Sequence, residues 1–185
     1  MALQPMAHEA LPEAALPTAK AVANFFLTRG FREGVAIDQL KLQKLVFYAH
    51  AWHLGYGYGP LFPDDIEAWP HGPVTRDLYI EFKGFGRQPI TRQATYYDGT
   101  CPSADGDNVP AQTRMLLESL WNGYKGYDGI MLSNSTHAPH EPWTVIKTRY
   151  GSLAGKPRIP NELIAEIFRE KLNVGAANQN PAAAG

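Results

Sequence analysis

Leu40-Lys41-Leu42-Gln43-Lys44-Leu45-Val46-Phe47-Tyr48-Ala49-His50-Ala51-Trp52-His53-Leu54 carries an unbroken helical signal. Leu42, Leu45, Val46, Ala49 and His53 recur at helical spacing and form one apolar stripe. Lys41 and Lys44, three apart, share another face, which this reading assigns to solvent. Asp38 is placed to cap the N-terminus, and Gly55, Gly57 and Gly59 offer exits at the other end.

Downstream, Pro60-Leu61-Phe62 and Ile66-Glu67-Ala68-Trp69 flank Pro63-Asp64-Asp65, turn chemistry between short apolar runs that predicts a small hairpin. Pro73 suits the first position of a helix whose face is Val74, Leu78 and Phe82, with Gly84 and Gly86 at its exit. Upstream, Thr18 caps a helix with Val22, Phe25 and Phe26 on its apolar side, ending at Gly30.

The stretch from Gly86 to Pro110 shifts to Thr, Asp, Gly and Pro. Ile90-Thr91 and Ala94-Thr95-Tyr96-Tyr97 read as short strands before an Asp105-Gly106-Asp107-Asn108 turn. Pro110 opens a helix with Met115, Leu116, Leu120 and Trp121 as its buried stripe. A short helix follows from Asp128 to Ser135, another opens at Pro142 with Val145 and Ile146, and Asn161 caps a last one faced by Leu163, Ile164, Ile167 and Phe168. Residues 1–17 read as a flexible arm and 173–185 as a disordered tail of small and polar residues.

The order Leu42-Gln43-Lys44-Leu45 with Tyr48-Ala49, Glu67-Ala68-Trp69, Gly72-Pro73-Val74, Leu78-Tyr79, Phe82-Lys83-Gly84, Thr136-His137 and Pro142-Trp143 resembles the Panacea-domain family over most of residues 18–172. One departure is His71, where many relatives carry an aromatic residue before Gly-Pro-Val. The resemblance implies a mainly α, compact single domain with a small β-hairpin or short β-sheet insertion. It also implies an antitoxin of a bacterial toxin–antitoxin pair that binds and neutralises a small toxin protein. SocA-type members further imply delivery of that toxin to an AAA+ protease such as ClpXP. On this reading the chain is no enzyme and needs no cofactor, and its motif residues Leu42, Gln43, Leu45, Tyr48, Gly72, Pro73, Thr136, His137 and Trp143 shape the domain.

Aromatic and basic residues near the hairpin, namely Trp69, His71, Arg76 and Tyr79 with Lys41 and Lys44 beside them, compose the candidate toxin contact, because Tyr, Trp and Arg carry binding energy at interfaces. The two lysines would steer an acidic partner. A second reading is a metal-dependent or serine hydrolase on the same fold. His50 and His53, three apart, and His137 and His140, spaced likewise, would supply ligands, and Ser133, Ser135 and Thr136 lie beside His137. No Gly-x-Ser-x-Gly elbow accompanies them, and helix-end hydroxyls more often satisfy backbone amides.

Composition sets the frame. With 185 residues, 44% hydrophobic and 19% charged, the chain has enough apolar content for one domain with a sizeable core. A net charge of −1 gives no general footprint for nucleic acid. The single cysteine, Cys101, excludes an internal disulfide and fits a reducing compartment. No run approaches the ~20 apolar residues of a membrane span, so the expected location is the cytoplasm. Composition does not choose between a monomer and a homodimer.

Overall fold

Short polar side chains set several helix starts. The computed structural model describes residues 16–96, 98–104 and 109–179. Helix α1 (Ala19–Glu33) begins behind Thr18, whose hydroxyl accepts from the Ala21 amide. Helix α2 (Gln39–Gly55) begins behind Asp38, whose carboxylate accepts from the Lys41 amide at 2.7 Å. Strands β1 (Ile66–Trp69) and β2 (Gly72–Thr75) follow, then α3 (Arg76–Phe82) and α4 (Ala111–Tyr124). Helix α5 (Gly129–Thr136) is capped by Asp128, α6 (Pro142–Tyr150) carries Pro142 in its first turn, and α7 (Asn161–Gln179) closes the order. The fold is mainly α with one small antiparallel hairpin among the described residues. None of the described helices is long and apolar enough to cross a membrane.

Helix α2 is the axis of the molecule, with α1, α3, α4, α5, α7 and β2 all packed on it. Every residue from Lys41 to Ala51 is buried. This corrects the one-stripe reading: a helix enclosed on all sides has no solvated face, so its lysines, Gln43 and both histidines lie inside with the leucines. Phe25, Phe26, Phe47, Phe62, Phe82, Trp121 and Phe168 complete the core as fully buried aromatic rings. Helix α7 approaches so closely that a Cβ on Gly55 would lie 2.8 Å from Phe168 Cβ.

The hairpin forms one step later in the chain than the sequence suggested. Ile66 pairs with Thr75, Glu67 with Val74, Ala68 with Pro73 and Trp69 with Gly72, so Pro70-His71 is the turn and Pro73 lies in a strand. Proline is tolerated there because the partner of its edge position is a side chain, not a ladder acceptor. Helix α3 therefore starts at Arg76, and Leu78 and Phe82 face the core as expected.

Other boundaries move for local reasons. Helix α1 continues through Gly30 to a left-handed cap at Gly34. In α4 the buried positions are Thr113, Leu117, Leu120 and Trp121, whereas Met115 is exposed. Ile90–Tyr96 forms no strand: the Ile90 amide donates to Ile37 O, and the Asn24 side chain holds the Ala94 amide and carbonyl. Tyr97 and the 105–108 turn lie outside the described residues. Asn161 is the first helical residue of α7, and its carboxamide oxygen pairs with His50 instead of capping. Helix α7 runs on to Gln179, past Leu172 where the sequence placed the start of a tail. Residues 1–15 and 180–185, which make up most of the arm and the end of the tail, lie outside the described residues.

Candidate functional site

A two-stranded sheet exposes two edges of unpaired backbone groups, and here both are closed. On the β1 side the Ala68 amide donates to Pro157 O and the Ile159 amide to Ile66 O, each at 2.8 Å. On the β2 side α2 supplies side chains in place of a strand. The Gln43 carboxamide accepts from the Thr75 amide at 2.9 Å and donates to Thr75 O at 3.2 Å. Lys44 Nζ donates to Pro73 O at 2.8 Å, and Pro73 has no amide to satisfy. The pair Gln43-Lys44 thus completes the edge that Pro73 begins.

The turn is anchored from two further directions. Ser133 Oγ of α5 donates to His71 O at 2.8 Å, and Trp143 Nε1 of α6 donates to Trp69 O at 2.7 Å. Gly72 adopts φ +105°, and a Cβ there would stand 2.7 Å from Thr136 Oγ1 and 2.8 Å from Lys44 Nζ. Only glycine lets the hairpin settle onto α2 and α5. The structural motif residues accordingly converge: Gln43, Lys44, Gly72, Pro73, Thr136 and Trp143 are all buried around one hairpin, while Leu42, Leu45 and Tyr48 lie in the adjoining core.

Beside this hairpin lies a cavity of about 500 Å³. Its wall takes Asp38, Gln39, Leu40, Gln43 and Lys44 from the start of α2, and Trp69 to His71 and Val74 from the hairpin. Tyr79, Gly86, Arg87 and Ile130 complete it. Trp69 is half-buried: its indole N–H donates to Glu67 at 2.7 Å, its ring meets Tyr79 at 4.7 Å, and Lys156 Nζ sits 3.7 Å from the ring centroid. His71, Arg87 and Ile130 are exposed at the rim.

Of the residues singled out from sequence, Lys44, Trp69, His71 and Tyr79 therefore meet at one cavity. Arg76 does not line it; its exposed guanidinium pairs with Glu67 at 3.0 Å. Lys41 does not either: it is 5% exposed and donates to Lys125 O at the C-terminal end of α4 at 2.7 Å. Lys44 is fully buried, and burial pushes its pKa from 10.5 to about 7. Neither lysine is a solvated steering charge, since both side chains are buried against the elements packed on α2. Arg87, Ile130, Leu40 and Gln39 were missed. Residue type did not set them apart, and the 66% exposure of Ile130 is a property of the fold.

The residues of the hydrolase reading are dispersed among structural tasks. His50 Nε2 pairs with Asn161 and its ring packs 4.3 Å from Phe62, and burial lowers its pKa to about 4. His53 bonds Gly59 O and Thr113 Oγ1. The His137 ring stacks on Trp143 at 3.9 Å, and its Nε2 has no hydrogen-bond partner, so it packs instead of bonding within the turn. Ser133, Ser135 and Thr136 donate to the carbonyls of His71, Met131 and Ser133 instead of accepting from helix-end amides, and none is held by a base. Among the described residues no three of His, Cys, Asp or Glu are grouped to hold a metal ion.

The family described as Antitoxin SocA-like, Panacea domain, matches residues 42–144, a span that contains the hairpin and most of its clamps. A curated relative, Antitoxin SocA of Caulobacter vibrioides (strain NA1000 / CB15N), is 31% identical over 165 residues, covering 84% of this chain and 85% of its own. No solved structure gives a significant match.

Proposed function

This chain belongs to the SocA-like antitoxin family built on the Panacea domain, and we propose that it neutralises a cognate toxin protein by binding it, without catalysis, at the face bearing the hairpin cavity. The observation that carries this placement is the convergence of Trp69, His71 and Tyr79 on one cavity beside an immobilised hairpin. Half-buried aromatic rings on a rigid frame lose little entropy when they meet a partner. A β-strand added to the hairpin is not the mode of binding, because both sheet edges are already satisfied.

The finer reading is that bound toxin is passed to ClpXP in the cytoplasm, with this chain as the adaptor. Its support is the resemblance to SocA-type members. Co-expression with the protein encoded by the adjacent reading frame tests both levels. Rescue of growth with a stable, co-purifying neighbour means sequestration. Rescue with a half-life that shortens only when ClpX is present means delivery. Absence of both rescue and co-purification would overturn the antitoxin reading for that pair.

A further inference from the structure

The hairpin cavity has a charge character that its apolar lining conceals. Lys44 is in its wall, and an ammonium carries three N–H donors. Among the described residues its one hydrogen-bond acceptor is Pro73 O, and no carboxylate pairs with it. Arg87 at the rim is exposed and likewise has no acidic partner there. The single acid in the wall, Asp38, is committed to capping α2 through the Lys41 amide. With Lys44 protonated, it and Arg87 stand against the one carboxylate of the lining, Asp38, which leaves a formal excess of one positive charge among the described lining residues. The apolar rim continues outward through Ile130, 66% exposed, and Met131, 49% exposed, on the first turn of α5.

We infer that this cavity receives a segment of the toxin in which an Asp or Glu stands next to a large apolar side chain. The inference rests on the antitoxin reading above and specifies the chemistry of its site. The apolar side chain fills the space between Trp69, Tyr79 and Ile130, where it displaces water from apolar walls. The carboxylate pairs with the Arg87 guanidinium at the mouth and lies in the field of Lys44 behind it, which a low-dielectric wall screens poorly. Charge complementarity of this kind selects one partner over another and fixes its register.

The test uses the full chain and the protein encoded by the adjacent reading frame, with affinity measured by titration calorimetry. Arg87→Glu and Ile130→Asp, both at exposed positions that leave the core intact, are each expected to weaken binding at least tenfold. One Asp→Lys or Glu→Lys substitution in the neighbour, found by scanning its acidic residues, is expected to restore binding to Arg87→Glu. Circular dichroism on each variant confirms that the fold is retained. If the wild-type proteins bind but both variants bind as well as wild type, the cavity is not the receptor, while the antitoxin reading stands. If the two variants weaken binding but no charge reversal in the neighbour restores it, the carboxylate assignment falls. If the wild-type chain does not bind the neighbour at all, the antitoxin reading fails for this pair and the inference falls with it.

Discussion

Replacing Lys44 by methionine should stabilise this protein at neutral pH, which is the reverse of what truncating most buried side chains does. The lysine is fully buried, and its pKa falls from 10.5 in the unfolded chain to about 7 in the fold. At about 1.36 kcal/mol per unit, that displacement costs the folded state about 5 kcal/mol once the pH is below 7. Methionine has similar length and no charge, but it leaves Pro73 O without its donor, a loss of about 1–3 kcal/mol. The net expectation at pH 6–7 is therefore a gain of about 2–4 kcal/mol. The sign across pH follows from the direction of the shift. The unfolded chain holds the Lys44 proton more tightly than the fold does, so wild-type stability is lost as pH falls from 10.5 toward 7 and levels off below. Chemical denaturation at pH 6, 7, 8 and 9 would show wild type gaining about 2–3 kcal/mol from this group over the series. Lys44→Met lacks that gain, so its advantage shrinks as pH rises. An advantage that stays constant from pH 6 to 9 would refute the argument, since it would mean that Lys44 keeps an ordinary pKa inside the fold.

Two further perturbations probe neighbouring parts. His50, buried with a folded pKa of about 4 against 6.5 unfolded, should cost the fold about 3 kcal/mol as pH falls from 6.5 to 4, the unfolded chain again binding the proton first. His50→Gln should flatten that limb of the acid-unfolding curve, and an unchanged curve would count against the shift. Gly72→Ala forces a side chain into φ +105° and against Lys44 and Thr136, which should destabilise by about 2–5 kcal/mol in thermal unfolding. A change within the error of the melt would show that the hairpin can lift off α2 at little cost.

The Lys44 prediction also bears on why such a residue stands there. The structural duty of satisfying Pro73 O needs only a neutral donor, whereas a buried cation destabilises the fold. A lysine kept at the wall of a cavity, with its pKa lowered to about 7, fits a site where stability is given up for recognition. The same cation would then serve both the hairpin and the partner, which is why Lys44→Met should weaken binding while strengthening the fold.

Local backbone chemistry and motif order made legible the helical class, the caps at Thr18 and Asp38, the Pro142 start, and the motif set Gln43, Gly72, Pro73, Thr136 and Trp143. The hairpin register came from packing, since Pro73 is read locally as a helix start and becomes strand where α2 presents Gln43 and Lys44 to its edge. Burial of Lys41 and Lys44 was equally invisible. Helical periodicity reports how many faces are apolar, and it carries no record of how many neighbours surround the helix or of which carbonyls those neighbours offer to a lysine. The cavity followed the same logic: Trp69, His71 and Tyr79 could be picked out by residue type, but Arg87, beyond α3, and Ile130 of α5 joined them only when those segments were folded beside the hairpin.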